Sequence, residues 1–300
     1  TSNPHKLEEI NAINTNPEIV FDVVKGDFVM VESTLDKSAK NKGLYNFLRD
    51  ISGKNDPILI MRAINITMRK IFAIDDLDKA LSYYRAREIK FGDAEKNYKK
   101  ALRIIDKVES TKDLKRAYNE ALKEIEKTEI DENREVLHVD LTGEIYLVND
   151  EFSNQNIERE LGRMGVQTRR SLTVGSFLKD AIIPKAFQNK ETHLQRAERM
   201  AKPYLMRDIG GDALECISDV VFANEKGKDG IIHISPFTCM PEIMSQNIFP
   251  TMRAEHDIPL LALIMDEQTG KAGYVTRLEA FVDLMRRKKR VKLAKNKTRI

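Results

Sequence analysis

The second half of the chain alternates short apolar runs with longer amphipathic stretches. Runs of apolar and β-branched residues predict strands over residues 136–141, 166–168, 230–234 and 259–265. Apolar residues spaced three and four apart predict helices over residues 154–165, 192–206, 211–224, 241–252 and 276–287. Strands that alternate with helices are typical of a parallel sheet with helices on both faces. We therefore predict an α/β domain with a doubly wound parallel sheet over residues 131–287.

Residues 57–130 carry a helical pattern instead. Ile60, Ile64, Met68 and Ile71 recur at three- and four-residue steps. Further helices are predicted over residues 77–90, over 94–108 and beyond the cap signal at 110–111. Because the opposite faces are heavily charged, we predict a long helical region, either a bundle or an arm, that carries no catalytic group.

Composition changes this picture little. Hydrophobic residues make up 41% of the 300 residues, which is enough for one large core or two smaller ones. The net charge is only +3, but residues 286–300 contain nine Lys and Arg and no acid. We predict a solvated basic tail over residues 288–300. No aromatic residues interleave with these charges, so we do not expect a nucleic-acid partner.

The sequence also lacks an eighteen-residue apolar run and a positively charged leader before an apolar segment. We therefore expect neither a membrane span nor secretion. Two cysteines with twenty-two residues between them do not form a disulfide framework, and we expect a reducing, cytoplasmic location.

Cys239 lies where a predicted strand ends and a helix begins. Pro241 and Glu242, which follow it, are favoured in the first turn of a helix. A helix N-terminus lowers the pKa of a thiol and makes it available as a nucleophile or a metal ligand. The alternative interpretation is a packed, inert loop cysteine.

Three strand-to-helix loops are expected at one edge of the sheet, over residues 143–146, 236–242 and 266–273. Their candidate site residues, together with the helix that follows the third loop, are Cys239, Glu144, Tyr146, Glu242, Asp266, Glu267 and Arg277. A thiol, carboxylates, a phenol and an arginine suit a metal or cofactor pocket. The alternatives stay open: Glu144 as a helix cap, Asp266 and Glu267 as solvated turn residues, and Arg277 as a surface ion-pair partner.

The other cysteine and two of the histidines are predicted to be core residues. Cys216 falls on an apolar helix face, and His138 and His233 fall within strands. No short zinc-binding, phosphate-loop, dinucleotide-binding or hydrolase motif is present.

Four sequence strings resemble one known family. They are GEIY at 143–146 followed by Asn156, PFTCMPE at 236–242, DIPLLALIMDEQTG at 257–270, and AGYVTRLEAFVDLM at 272–285. Over residues 130–287 the chain resembles the 2-hydroxyacyl-CoA dehydratase subunit family, in its activase-related or double-cubane-cluster-like branch.

The resemblance implies flavodoxin-like domains that hold an oxygen-sensitive iron–sulfur cluster, either [4Fe–4S] or double-cubane [8Fe–9S]. An ATP-dependent activase of the actin/Hsp70 type would supply low-potential electrons to a lyase or a reductase. A homo- or heterodimer with a related subunit is also implied. On this sequence the resemblance makes Cys239 a cluster ligand and Glu242 its neighbour. The alternative is a non-catalytic interaction subunit that lacks a cluster.

The chain departs from this family in its cysteine count. A cluster needs several thiolates, and the sequence offers one well-placed cysteine. The chain begins at Thr1, and residues 1–56 form a short mixed segment with candidate strands at 19–24 and 28–31. We interpret this segment as the remnant of an upstream α/β domain that carries further ligands. We therefore expect the chain to be inactive on its own.

Overall fold

A computed structural model of the chain describes residue 49 and residues 56–182 and 193–297. The chain divides into two compact units, residues 1–65 and 66–300. The candidate strands at 19–24 and 28–31 lie outside the described residues. The elements in chain order are α1 (Pro57–Arg85), α2 (Asp93–Asp106), α3 (Thr111–Glu126), β1 (Leu137–Gly143), α4 (Ile145–Asn149), α5 (Ile157–Arg163), β2 (Val166–Arg170), α6 (Val174–Ile182), α7 (His193–Ala201), α8 (Ala213–Glu225), β3 (Gly230–Pro236), α9 (Met240–His256), β4 (Leu260–Met265) and α10 (Lys271–Lys297).

The four strands form one sheet in the order β2–β1–β3–β4. Every neighbouring pair is parallel, and Leu141 of β1 lies beside Ile232 of β3. This confirms the predicted α/β class and its parallel sheet. β1 and β3 each extend two residues beyond their predicted carboxyl ends, to Gly143 and Pro236.

Helices cover both faces of the sheet. Val139 and Leu141 pack with Ile232 and Ile234 against α4, α5 and α10 on the first face. Ile231 and Leu260 pack against α7, α8 and α9 on the second face. Because side chains alternate along a strand, His233 and Thr142 belong to the second face. Polar groups therefore enter the layer between the sheet and α8.

The helices before β1 differ in extent from the predicted ones. A helix from residue 57 and a second helix over 77–90 were expected, but α1 is one continuous helix that ends at Arg85. Residues 73–76 contain no glycine or proline that would interrupt it. α2 and α3 pack against its second half through an apolar cluster around Leu77, Ala101 and Ile125.

α10 runs beyond the predicted helix end at residue 287, through Lys297. Lysine and arginine are good helix formers, and two of the lysines reach acceptors elsewhere. Lys288 Nζ lies 2.6 Å from Asp257 Oδ1, and Lys289 Nζ donates to the carbonyl of Val136 at 3.1 Å. Residues 288–297 of the predicted basic tail are therefore helical.

Within the described part of the chain, no helix is both long enough and apolar enough to cross a membrane.

Candidate functional site

The order of the strands reverses between β1 and β3. β2 lies beyond β1, and β3 and β4 extend the sheet on the other side. Ligands of open α/β sheets bind at the carboxyl ends of the strands at such a point. The loop after β1 and the loop after β3 both begin there, and the backbone N–H of Glu144 donates to the carbonyl of Ile234 at 3.1 Å. Two of the three predicted loops are therefore neighbours.

Cys239 is a half-buried thiol at this point and is the N-cap residue of α9. Burial raises its pKa, and the charges of Glu242, Glu144 and Asp212 raise it further. A hydrogen bond from the backbone N–H of Glu242 acts in the opposite direction and is outweighed. The prediction of a lowered thiol pKa is therefore wrong, because burial and the charges of three carboxyl groups together outweigh the hydrogen bond at the helix N-terminus. We call Cys239, Glu144 and Asp212 the switch-point edge.

Glu144 caps α4, which is one of the two roles that the sequence left open for it. Its carboxylate accepts from the backbone N–H groups of Tyr146 at 3.1 Å and Leu147 at 2.8 Å. Its charge also raises the pKa of Cys239. Tyr146 lies in the first turn of the same helix with its side chain about half exposed.

The third predicted loop does not bring its polar side chains to Cys239. Asp266 accepts from the N–H of Gln268 at 3.0 Å and from the hydroxyl of Thr269 at 2.7 Å, so it closes its own turn. Glu267 is exposed, and Arg277 donates to the carbonyl of Ala262 on β4 at 2.7 Å. The physical reason is the strand order, because β4 lies one strand further from the reversal than β3.

Three carboxyl groups that sequence reasoning missed lie at or near the start of α8. Burial raises the pKa of Asp212 to about 6, with the charges of Glu242, Glu144 and Asp219 adding to the effect. Burial also raises the pKa of Glu215 to about 7 and that of Asp219 to about 6. In the sequence these acids have the ordinary pattern of a helix N-terminus. They are three and four residues apart along α8 and therefore lie on one face of it. The N–H of Ile145 donates to Asp212 Oδ2 at 3.0 Å, which joins the start of α8 to the loop after β1.

The raised pKa of Glu215 predicts a pH-dependent stability. Between the ordinary glutamate pKa of 4.5 and about 7, the folded state binds more protons than the unfolded state. The free energy of unfolding therefore falls as the pH rises through this window. Glu215→Gln removes this loss. Between about pH 5 and pH 8 we therefore expect the unfolding free energy of the wild type to fall by about 2 kcal/mol relative to that of the variant.

Urea unfolding of both proteins at the two pH values measures the difference. Glu279→Gln, at an exposed position on α10, is the matched control and should leave the pH dependence unchanged. Equal pH profiles for the wild type and Glu215→Gln would contradict the assignment.

Buried polar side chains continue from this edge into the layer between the sheet and α8. Thr142 Oγ1 donates to Asp219 Oδ2 at 2.8 Å, and Arg196 Nη2 donates to Asp219 Oδ1 at 3.2 Å. The side-chain amide of Gln246 donates to the hydroxyl of Ser235 at 2.9 Å. Buried polar groups are costly unless they have hydrogen-bond partners, and packing alone would be served by apolar side chains. The polar character of this sheet face is therefore not explained by packing alone.

Cys216, His233 and Glu242 lie together in this layer, and we call them the buried triad. His233 Nε2 forms a hydrogen bond with Glu242 Oε2, and Cys216 Sγ donates to the same oxygen at 3.3 Å. Cys216 and His233 are buried, as predicted, and Cys216 packs within the apolar cluster on the second face of the sheet while His233 packs against Phe249. Because the three residues come from α8, β3 and α9, no short spacing motif in the sequence signals the group.

Comparison of the sequence with known protein families and with curated proteins finds no match. The family resemblance of the motifs at 143–146, 236–242 and 257–285 therefore stays a prediction.

Proposed function

We propose that this chain is a portion of an iron–sulfur redox protein related to the 2-hydroxyacyl-CoA dehydratases, and that Cys239 contributes one thiolate ligand. The observation that carries the proposal is the position of Cys239. Its half-buried thiol lies where the strand order reverses, and the charges of Glu144, Asp212 and Glu242 act on it. These carboxyl groups disfavour a free thiolate. A bound metal centre supplies the positive charge that reverses this effect.

The residues of this chain do not complete a cluster. A cubane is held by several cysteine thiolates, and the chain contains two cysteines. Cys216 is fully buried on α8 and donates to Glu242, so Cys239 is the one thiol at the edge. The other ligands therefore have to come from a second polypeptide or from a further domain.

The motif resemblance supplies the remainder of the proposal. The strand order β2–β1–β3–β4 agrees with a flavodoxin-like sheet, which is the domain type that the family uses. A related subunit would complete the cluster site, and an ATP-dependent activase of the actin/Hsp70 type would supply the electrons. The class of reaction would then be dehydration of a 2-hydroxyacyl-CoA or a low-potential reduction.

Anaerobic reconstitution of the full-length protein with iron and sulfide tests the role of Cys239. We expect bound iron, bound sulfide and a thiolate-to-iron charge-transfer absorbance, and we expect Cys239→Ser to lose most of all three. Cys216→Ser is the matched control, since it removes the other cysteine, and it should retain the cluster. A wild-type protein that lacks this absorbance both alone and together with the related subunit, or a Cys239→Ser variant with full iron content, would overturn the proposal.

The alternative function, a non-catalytic interaction subunit, is favoured by exposed apolar side chains around Cys239. Phe237 and Met240 flank the thiol and are 65% and 72% exposed, and Ile243 and Met244 follow on α9. Exposed apolar groups that cluster in this way are typical of a docking surface. The same reconstitution separates the two functions, because an interaction subunit would bind the activase or a cluster-bearing subunit without binding iron itself.

A further inference from the structure

The buried triad is a set of three metal-ligand side chains enclosed in the protein. Cys216 and His233 are 0% exposed and Glu242 is 1% exposed. One ligand atom from each residue lies within 4.8 Å of the other two. The thiol, the imidazole and the carboxylate come from α8, β3 and α9, so the group joins three elements at one point.

The hydrogen bonds within the triad leave buried polar atoms without partners. Glu242 Oε2 receives both His233 and Cys216, whereas Glu242 Oε1 and His233 Nδ1 have no hydrogen-bond partner among the described residues. A buried polar atom without a partner is costly, and such atoms are rare in folded proteins. The triad is therefore incompletely satisfied as a network of hydrogen bonds alone.

The donor chemistry matches a divalent transition-metal ion. Thiolate, imidazole and carboxylate are the three side-chain ligands that zinc uses, at metal–ligand distances of about 2.0–2.3 Å. Tetrahedral ligands at these distances are roughly 3.5 Å apart, and Cys216 Sγ lies 3.3 Å from Glu242 Oε2. A thiolate and a carboxylate bring two negative charges, which one Zn²⁺ ion neutralises. The ring of Phe249 packs edge-on against His233 at 5.0 Å between centroids and fixes the plane of the imidazole.

We propose that Cys216, His233 and Glu242 bind one Zn²⁺ ion in a buried site that borders the switch-point edge but does not include Cys239. The ion replaces the hydrogen bond between His233 and Glu242 and displaces the thiol proton of Cys216. Three protein ligands leave one tetrahedral position for a solvent molecule. The ion would connect α8 and α9 to β3, and its ligand Glu242 lies in the first turn of α9, three residues after Cys239.

Titration of the metal-depleted full chain with Co²⁺, followed by displacement with Zn²⁺, tests the site. We expect one equivalent of Co²⁺ to give the visible ligand-field bands of a tetrahedral ion and a near-ultraviolet thiolate-to-cobalt band. Cys216→Ser should lose the thiolate band and weaken Co²⁺ binding by more than about 100-fold, because even outer-sphere partners of a metal ligand cost about 10- to 100-fold. Zn²⁺ should also raise the melting temperature of the wild type.

The matched control is Cys239→Ser, which removes the other cysteine and should leave the cobalt spectrum and the affinity unchanged. Glu242→Gln keeps the volume of the side chain and removes its charge, so it decides the outcome if Cys216→Ser fails to fold. Absence of the thiolate band in the wild type, its loss in Cys239→Ser, or unchanged affinity in Glu242→Gln would each overturn the proposal. The cobalt signal depends on Cys216 and the iron signal on Cys239, so the zinc site and the proposed function can fail independently.

Discussion

Gly143→Ala is expected to destabilise the protein by more than about 3 kcal/mol. Gly143 ends β1 with φ at +135°, a backbone conformation that side chains other than glycine rarely adopt. A Cβ atom added there would lie 1.9 Å from the carbonyl oxygen of Ile234 on β3. Because both the torsion and the contact involve backbone, no side-chain rotation relieves them. The two strands have to separate at the point where the strand order reverses.

Chemical unfolding of Gly143→Ala beside the wild type measures this loss. Gly270→Ala is the matched control, because an added Cβ atom there would have no neighbour within 4 Å, and we expect a change within about 0.5 kcal/mol. Equal stability of the two variants would show that β1 and β3 tolerate separation.

The sequence predicted the helices and the parallel sheet because each of these elements follows from a local spacing of hydrophobic residues. The alternation of strand and helix signals over residues 131–287 was sufficient for the α/β class and the parallel sheet. The ends of elements were less predictable. α10 continues to Lys297 partly because Lys288 reaches Asp257, a contact between residues that are 31 positions apart.

The candidate site depended on longer-range information. The position of Cys239 between a strand and a helix follows from local pattern, but its pKa is set partly by Asp212, which the fold brings in from α8. The third loop was expected at the same edge, but strand order places it one strand away. Cys216 and His233 each had an ordinary structural interpretation alone, and Glu242 was predicted as a neighbour of Cys239 instead. Their shared position on the second face of the sheet depends on how α8 and α9 cross β3.

Glu158→Gln is expected to cost about 3 kcal/mol near neutral pH, because it leaves the partly buried Arg170 without its main partner. Arg170 on β2 donates through Nη2 to Glu158 on α5 at 2.6 Å and through Nη1 to Asp78 on α1 at 3.2 Å. The hydroxyl of Thr168 donates to the second oxygen of Glu158 at 2.8 Å. This network connects α1 to the outer strand β2 through charge rather than apolar packing.

The pH dependence of this loss has a defined sign. Burial alone would raise the pKa of Glu158, but the charges of Arg170 and Arg85 and the hydrogen bonds outweigh burial and leave the pKa lowered. A carboxyl group with a lowered folded-state pKa stabilises the protein above its ordinary value of 4.5, and this contribution disappears as the pH falls through the folded-state pKa. The gap in stability between the wild type and Glu158→Gln should therefore narrow in acid.

Unfolding free energies of the wild type and Glu158→Gln, measured from neutral pH into acid, test both the size and the sign. Asp113→Asn is the matched control, since Asp113 and Arg116 form an exposed ion pair at 3.6 Å whose removal should cost less than about 0.5 kcal/mol. If Glu158→Gln lowered the unfolding free energy no more than Asp113→Asn does, Asp78 and solvent would be sufficient partners for Arg170. The attachment of α1 to the sheet would then rest on this contact of Asp78 with Arg170 and on that of Ser82 with Thr168, in which the serine hydroxyl donates to the carbonyl oxygen at 2.7 Å.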